Sequence, residues 1–110
     1  MPRRENRRRI RISRRAARHL ENNIEHLART ASLELALRFQ EAVANELDQL
    51  ARFPGLGSPR PGQSPRLAHL RMRPIRGFSS WLIYYLEEVE TLEVIWILSA
   101  AEDRDRIVAD

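Results

Sequence analysis

The sequence has no cysteine and no lysine, and its nineteen basic residues are all arginine. Without cysteine, the chain forms no disulfide framework, no thiolate nucleophile and no cysteine-ligated zinc site. Its longest uninterrupted apolar run is the six residues 81–86, which is far short of a membrane span. The arginine-rich start also lacks the apolar stretch of a secretory signal. These absences predict a cytoplasmic protein without membrane contact.

Motifs that carry catalysis or bind phosphate in other proteins are absent as well. There is no glycine-rich phosphate loop, no nucleophile elbow and no His-Glu-x-x-His sequence. His19 and His26 lie on one face of a predicted helix without further ligands, and Asp103 is interpreted as part of a solvated tail. We therefore expect no metal and no cofactor.

Charge is arranged along the chain in alternating blocks. Residues 1–18 carry a net charge of +8, residues 19–51 of −4, residues 52–76 of +6 and residues 77–110 of −6. Two basic blocks separated by acidic ones indicate an oriented electric field and an anionic partner.

At 110 residues, the chain is long enough for one domain with one core. We assign residues 1–8 to a flexible arginine-rich arm and residues 9–110 to the domain, because no periodicity precedes Arg9. The arm either keeps the protein soluble or contacts nucleic acid nonspecifically, and the sequence favours neither role. The arginines concerned are Arg3, Arg4, Arg7 and Arg8.

Two helices are expected after a short first strand. Residues 9–12 alternate between basic and apolar side chains, as a half-buried strand does. Ser13 is a good N-cap for an amphipathic helix from about residue 14 to 29, and Ser32 caps a second helix that reaches about Phe53. The two or three residues between them predict a helical hairpin.

The second helix has an apolar stripe that is wider than a surface helix needs. A stripe of this width must contact the neighbouring helix, the sheet or another protein. Its members are Ala36, Phe39, Val43, Leu47 and Leu50, widened by Leu33, Leu35, Leu37 and Ala44.

A loop rich in proline and glycine, residues 54–65, precedes three predicted strands at 67–73, 78–86 and 92–98. Their short links predict an antiparallel meander, and the unbroken apolar run of the middle strand indicates that both of its faces are covered. The expected fold is α+β in the order β-α-α-β-β-β, with an antiparallel sheet, no parallel crossover and the helical hairpin packed on one face.

The second predicted strand has basic residues on one face and apolar residues on the other. If Leu70 and Met72 pack on the helices, His69, Arg71 and Arg73 form a basic row on the open face of the sheet.

Four motifs, in this order and spacing, resemble the ParE/RelE superfamily of small bacterial toxins from type II toxin–antitoxin pairs, and its ParE branch more closely. The likeness includes the helical hairpin and spans nearly the whole chain. The motifs are Phe53-Pro54-Gly55-Leu56-Gly57, Leu70-Arg71-Met72-Arg73-Pro74, the stretch from Phe78 through Ile83-Tyr84-Tyr85, and Ile95-Trp96-Ile97-Leu98-Ser99-Ala100-Ala101-Glu102-Asp103.

The resemblance implies a toxin that is neutralised by an antitoxin encoded beside it, ParD-like or similar. ParE-like members typically poison DNA gyrase, whereas RelE-like members cut messenger RNA on the ribosome. We therefore expect a gyrase-binding toxin that performs no covalent chemistry. The alternatives are a RelE-like, metal-independent and ribosome-dependent endoribonuclease, and a non-toxic remnant of the family that acts by binding alone.

By the same resemblance, target binding is expected at polar side chains of the sheet, namely Arg71, Arg73, Arg76, Tyr85 and Ser99. In the ribonuclease alternative, Arg71 and Arg73 hold the scissile phosphate and Tyr85 transfers a proton. The antitoxin is expected on the apolar surface of the helical hairpin, at Leu33, Leu35, Leu37, Leu20 and Ile24.

The chain departs from the family pattern in two places. The family often has a histidine and an arginine at the end of the last strand, where Ser99 and Glu102 stand here, and a Tyr-Arg pair where Tyr85-Leu86 stands. Glu102 adds negative charge close to the expected position of a phosphate, which weakens the ribonuclease alternative.

Overall fold

The computed structural model describes residues 7–103 of the chain. Two long helices pack on one face of a five-stranded sheet, which confirms the predicted α+β class and the helical hairpin. No helix in this described part is long and apolar enough to cross a membrane. The elements are β1 Arg9–Ile12, α1 Arg14–Thr30, α2 Leu33–Arg52, β2 Ser58–Pro59, β3 Arg71–Ile75, β4 Phe78–Glu87 and β5 Thr91–Ser99, with 3-10 turns at Pro54–Leu56 and Pro65–Leu67.

Both predicted helix caps are present. The side chain of Ser13 accepts a hydrogen bond from the backbone N–H of Ala16, and that of Ser32 accepts one from Leu35, each at 3.0 Å. The Ser13 hydroxyl also donates to the carbonyl of Ile95 at 3.0 Å. Ser13 therefore satisfies a free donor at the start of α1 and joins that helix end to the sheet.

The strand order in the sheet is β1-β5-β4-β3-β2, and the pair β1–β5 is parallel. The prediction of a fully antiparallel sheet is therefore wrong for this one pair. The cause is β2, two residues within the proline-rich loop that pair antiparallel with β3 and were not predicted. This additional reversal turns the chain once more, so β3 and β5 run in the same direction as β1.

The strand expected at residues 67–73 is displaced along the chain. It begins at Arg71 and continues through Pro74 to Ile75, where its register with β4 shifts. Leu67 instead ends a 3-10 turn, and Leu67 and Leu70 are both buried. The loop before β3 thus folds over the sheet and covers part of it.

Two apolar clusters lie on opposite faces of the sheet. Cross-strand partners share a face, so the pairs Met72–Tyr84 and Arg71–Tyr85 point in opposite directions. The helix-side cluster is formed by Ala16, Phe39, Val43, Leu47, Leu50, Ile75, Ile83, Tyr85, Leu92, Val94 and Ile97. The second-face cluster is formed by Leu67, Leu70, Leu82, Tyr84, Leu86, Ile95, Trp96 and Leu98, with Met72 against it.

The predicted open basic face is therefore wrong. Leu70 and Met72 pack in the second-face cluster, away from the helices, while Arg71 and Arg73 lie on the helix side. The prediction assumed that apolar residues of this strand must face the helices, but both faces of the sheet are apolar. The expectation that β4 is covered on both faces is confirmed.

Candidate functional site

Arg71 and Tyr85 lie directly opposite each other on β3 and β4 and together hold the turn before β2. The fully buried Tyr85 hydroxyl donates to the carbonyl of Pro54 at 2.5 Å and accepts from the N–H of Gly57 at 2.8 Å. Arg71 Nη1 donates to the carbonyl of Gly57 at 2.6 Å. These contacts give the Phe-Pro-Gly-Leu-Gly motif a structural role, because they use the backbone polar groups of the turn.

Gly57 has no space for a side chain. A Cβ atom at this position would lie 2.7 Å from Tyr85 Cε1, which is closer than two carbon atoms can approach. Its φ of −73° is ordinary for any residue, so close packing requires glycine here, and backbone conformation does not. The turn and the tyrosine ring therefore determine each other's position.

Glu46 of α2 binds both the strand β3 and the turn that follows it. Its carboxylate accepts a hydrogen bond from Arg73 Nε at 3.0 Å and another from the backbone N–H of Arg76 at 3.1 Å. Only 5% of Glu46 is exposed, so the charge is shielded from water and paired. The Arg76 side chain remains exposed, and Gly77 completes the turn with a φ of +87°.

Three residues close the second face of the sheet. The Tyr84 hydroxyl donates a short hydrogen bond to Asp103 Oδ1, and Arg60 lies 3.3 Å from the other carboxylate oxygen. The Arg60 guanidinium also lies 5.9 Å from the centre of the Tyr84 ring. Burial and the adjacent carboxylate raise the pKa of Tyr84 far above its ordinary value. Asp103 is buried in this cluster, so its interpretation as part of a solvated tail is wrong.

Ser99 and Glu102 form a reciprocal helix cap. The Ser99 N–H donates to Glu102 Oε1 at 2.9 Å, and the Glu102 N–H donates to Ser99 Oγ at 3.2 Å. This is the capping box of the helical turn that starts at Ala100. The Ser-x-x-Glu spacing is visible in the sequence and would have identified it.

The structure brings Arg71, Arg73 and Tyr85 together but leaves Ser99 apart. Ser99 pairs with Trp81, which is four residues along β4 from Tyr85, or roughly 13 Å in an extended strand. Arg76, also a member of the expected target-binding set, is joined to Arg73 through Glu46. His69, which the sequence placed beside them, is exposed and lines a surface hollow with Arg71.

Comparison with known proteins identifies the family to which this chain belongs. The sequence model of the family described as ParE toxin of type II toxin–antitoxin system, parDE, matches residues 10–104. The chain belongs to this ParE toxin family. The resemblance deduced from the four motifs is thereby confirmed, and the protein is a ParE-type toxin of a ParDE toxin–antitoxin system. Such a system implies an antitoxin partner.

A solved structure described as the chromosomal ParDE TA system from P. aeruginosa has the same fold as this ParE-type toxin. The TM-score is 0.69 and the sequence identity 16%, over 86% of this chain and 97% of that chain. At this identity the similarity concerns the fold. A comparison with curated proteins finds no match.

The apolar residues expected to bind the toxin's antitoxin differ in exposure. Leu33 and Leu37, one turn apart on α2, are 65% and 53% exposed. Leu35 is half-buried, while Leu20 and Ile24 of α1 pack against the helix-side cluster. The surface available to a partner is therefore centred on Leu33 and Leu37.

Two of the arm residues expected to contact nucleic acid form ion pairs with the domain. Arg7 is 2.7 Å from Asp48, and Arg8 is 2.7 Å from Glu87, so both are paired with carboxylates of the domain. The backbone N–H of Arg8 also donates to the carbonyl of Ala51 at 2.9 Å. Arg3 and Arg4 lie outside the described residues.

Proposed function

We propose that this ParE-type toxin acts by binding DNA gyrase and poisoning it without covalent chemistry of its own, and that a ParD-like antitoxin neutralises it. The observation that supports the proposal is the burial and hydrogen bonding of the Tyr85 hydroxyl. Its hydroxyl is fully buried and makes two hydrogen bonds to the backbone of the Pro54–Leu56 turn and Gly57. Burial also raises the pKa of Tyr85, so the hydroxyl is held neutral at physiological pH.

A tyrosine in this state is unsuited to transfer a proton to a nucleic acid. A general acid or base must reach within hydrogen-bonding distance of the substrate atom, and the Tyr85 hydroxyl is enclosed by the turn. Binding is therefore the favoured activity over RNA cleavage.

The proposed contact with gyrase is a cationic surface beside α2. It comprises the partly exposed guanidinium groups of Arg71 and Arg73 and the exposed side chain of Arg76. Arg71 and Arg76 form no ion pair within 4.0 Å among the described residues, so their positive charge complements an acidic protein surface.

The proposed antitoxin contact is the exposed apolar surface of α2 around Leu33 and Leu37. Large apolar side chains exposed one turn apart are suited to bind the apolar face of an amphipathic segment. Antitoxin bound there would shield this apolar surface from water.

Expression in cells tests the proposal. The chain alone should arrest growth with stalled replication and DNA damage, and the reading frame beside its gene should restore growth. Arg71→Ala should reduce toxicity at equal protein level, whereas Arg38→Ala, an exposed arginine of α2, should leave it unchanged. Transcripts cut within ribosomes and spared in Arg71→Ala cells would instead establish the ribonuclease. Absence of any growth defect at high expression would establish a non-toxic remnant.

A further inference from the structure

The arginines of the described chain differ in whether a carboxylate neutralises them. Five exposed arginines between residues 9 and 18 have no acidic side chain within 4.0 Å among the residues that the structure describes. We call these five residues the basic strip: Arg9, Arg11, Arg14, Arg15 and Arg18. By contrast, seven other arginines have such a partner, namely Arg7, Arg8, Arg29, Arg52, Arg60, Arg66 and Arg73.

The basic strip lies on the edge strand β1 and on the first turns of α1, which follows it directly in the chain. Arg9 and Arg11 alternate with Ile10, which packs on the helix-side cluster, so their side chains share the other face of β1 about 7 Å apart. β1 is an edge strand of the sheet. Arg14 and Arg18 follow on α1, four residues apart and hence on one side of that helix.

These charges do not stabilise the fold locally. Cations in the first turn of a helix oppose its dipole, and like charges four residues apart repel each other. The first turn of α1 has no acidic residue, whereas that of α2 has Glu34. Glu93 lies opposite Arg11 in the register of β1 and β5, but its ion pair is with Arg66 at 3.4 Å. The cations at the start of α1 conflict with local helix stability and form no ion pair within 4.0 Å among the described residues, and this pattern points to an anionic partner.

The chemistry of the strip selects among anionic partners. Protein interfaces usually have an apolar core, but Ile12, at 37% exposure, is the sole large exposed apolar side chain among residues 7–18. Residues 7–18 also contain no aromatic ring on which the bases of a single strand could stack. Arginine contacts to a phosphate backbone need neither feature.

We propose that the basic strip binds the phosphate backbone of double-stranded nucleic acid without reading its base sequence. The interaction is electrostatic, so it strengthens as salt is lowered. It lies apart from the gyrase contact proposed on β3, and it requires neither gyrase nor antitoxin. It also differs from the contact expected at the arm, because Arg7 and Arg8 are paired with Asp48 and Glu87.

Fluorescence anisotropy of the full chain, freed of antitoxin, measures this binding. The probes are two DNA duplexes of unrelated sequence, each two helical turns long, an RNA duplex of the same length and a single strand. We expect equal affinity for the two DNA duplexes and weaker binding to the single strand. With up to five phosphate contacts, the logarithm of the association constant should fall against the logarithm of salt concentration with a slope of about −4.5. Comparison of the RNA duplex with the DNA duplexes shows whether the basic strip binds both nucleic acids or only one of them.

Two matched variants locate the contact. Arg14→Gln with Arg18→Gln should weaken duplex binding and reduce the salt slope by about 2, whereas Arg29→Gln with Arg38→Gln should change neither. Both pairs remove two exposed helical arginines, so they alter the net charge equally. The first variant should also melt no lower than the parent chain, since it removes repulsion within α1.

Three results would overturn the proposal. Equal weakening of duplex binding in both variants would show that the binding depends on net charge and not on the position of the basic strip. A strong preference for one of the two DNA sequences would replace backbone binding with base readout. Failure to bind any duplex, together with binding to polyglutamate that Arg14→Gln with Arg18→Gln abolishes, would assign the strip to an acidic protein.

Discussion

Gly57 and Tyr85 show at the scale of single residues how tightly the turn before β2 is packed. We predict that Gly57→Ala lowers the free energy of unfolding by about 1–3 kcal/mol, because the added methyl group must displace the tyrosine ring or the turn. Gly55→Ala is the matched control, since a Cβ atom at residue 55 meets no atom within 4 Å. Urea unfolding measures both. Equal stability of the two variants would show that the turn accommodates the added methyl group without loss of unfolding free energy.

The two tyrosines predict how stability depends on alkaline pH. Burial raises the pKa of both hydroxyls in the folded chain above the ordinary value of 10.0. The stabilisation of the folded state by the two neutral hydroxyls is therefore complete below about pH 10 and is lost as the pH rises toward the folded-state pKa values. The chain has no lysine or cysteine to titrate in this range.

The free energy of unfolding should therefore fall above pH 10 by up to about 1.4 kcal/mol per pH unit for each tyrosine. Tyr84→Phe should reduce this slope by the contribution of one tyrosine, as measured by urea unfolding at several pH values. An unchanged slope in Tyr84→Phe would mean that Tyr84 ionises as easily in the folded chain as in the unfolded one.

At the scale of elements, the sequence predicted the features that depend on local patterns. Both helices, their serine caps and the meander of the last three strands follow from periodicity and turn residues. The two-residue strand β2 has no periodicity to recognise, and its pairing depends on the register of β3. Because β2 was missed, the direction of every later strand relative to β1 was predicted wrongly.

The exposed surface of α2 leads to a prediction about the antitoxin. Leu33→Glu with Leu37→Glu should weaken antitoxin binding about 30-fold or more, as loss of a central apolar contact does at protein interfaces, without unfolding the toxin. Isothermal titration of the purified pair measures it. Val89→Glu, which alters a side chain 89% exposed in the turn between β4 and β5, should bind antitoxin normally. Normal binding by the leucine variant would place the antitoxin on another surface.

At the scale of the whole molecule, the sequence did not reveal which face of the sheet the helices cover. Alternation along β3 separates Arg71 and Arg73 from Leu70 and Met72, but both sets are compatible with packing when each face carries an apolar cluster. The role of Tyr85 depends on the same assignment. The resemblance gave Tyr85 a proton-transfer role in the ribonuclease alternative, whereas in the folded molecule Tyr85 and Arg71 both bind the backbone of Gly57.

Gyrase-dependent DNA cleavage by purified components tests the central proposal most directly. The free toxin is added to DNA gyrase, ATP and a closed plasmid, and the reaction is stopped with a protein denaturant. We predict that double-strand breaks accumulate with toxin concentration, that Arg71→Ala requires about tenfold more protein for the same effect, a loss near 1.4 kcal/mol, and that folded Tyr85→Phe behaves as the parent chain. Intact plasmid at every toxin concentration, together with ribosome-dependent cutting of a transcript that Tyr85→Phe abolishes, would contradict the proposal.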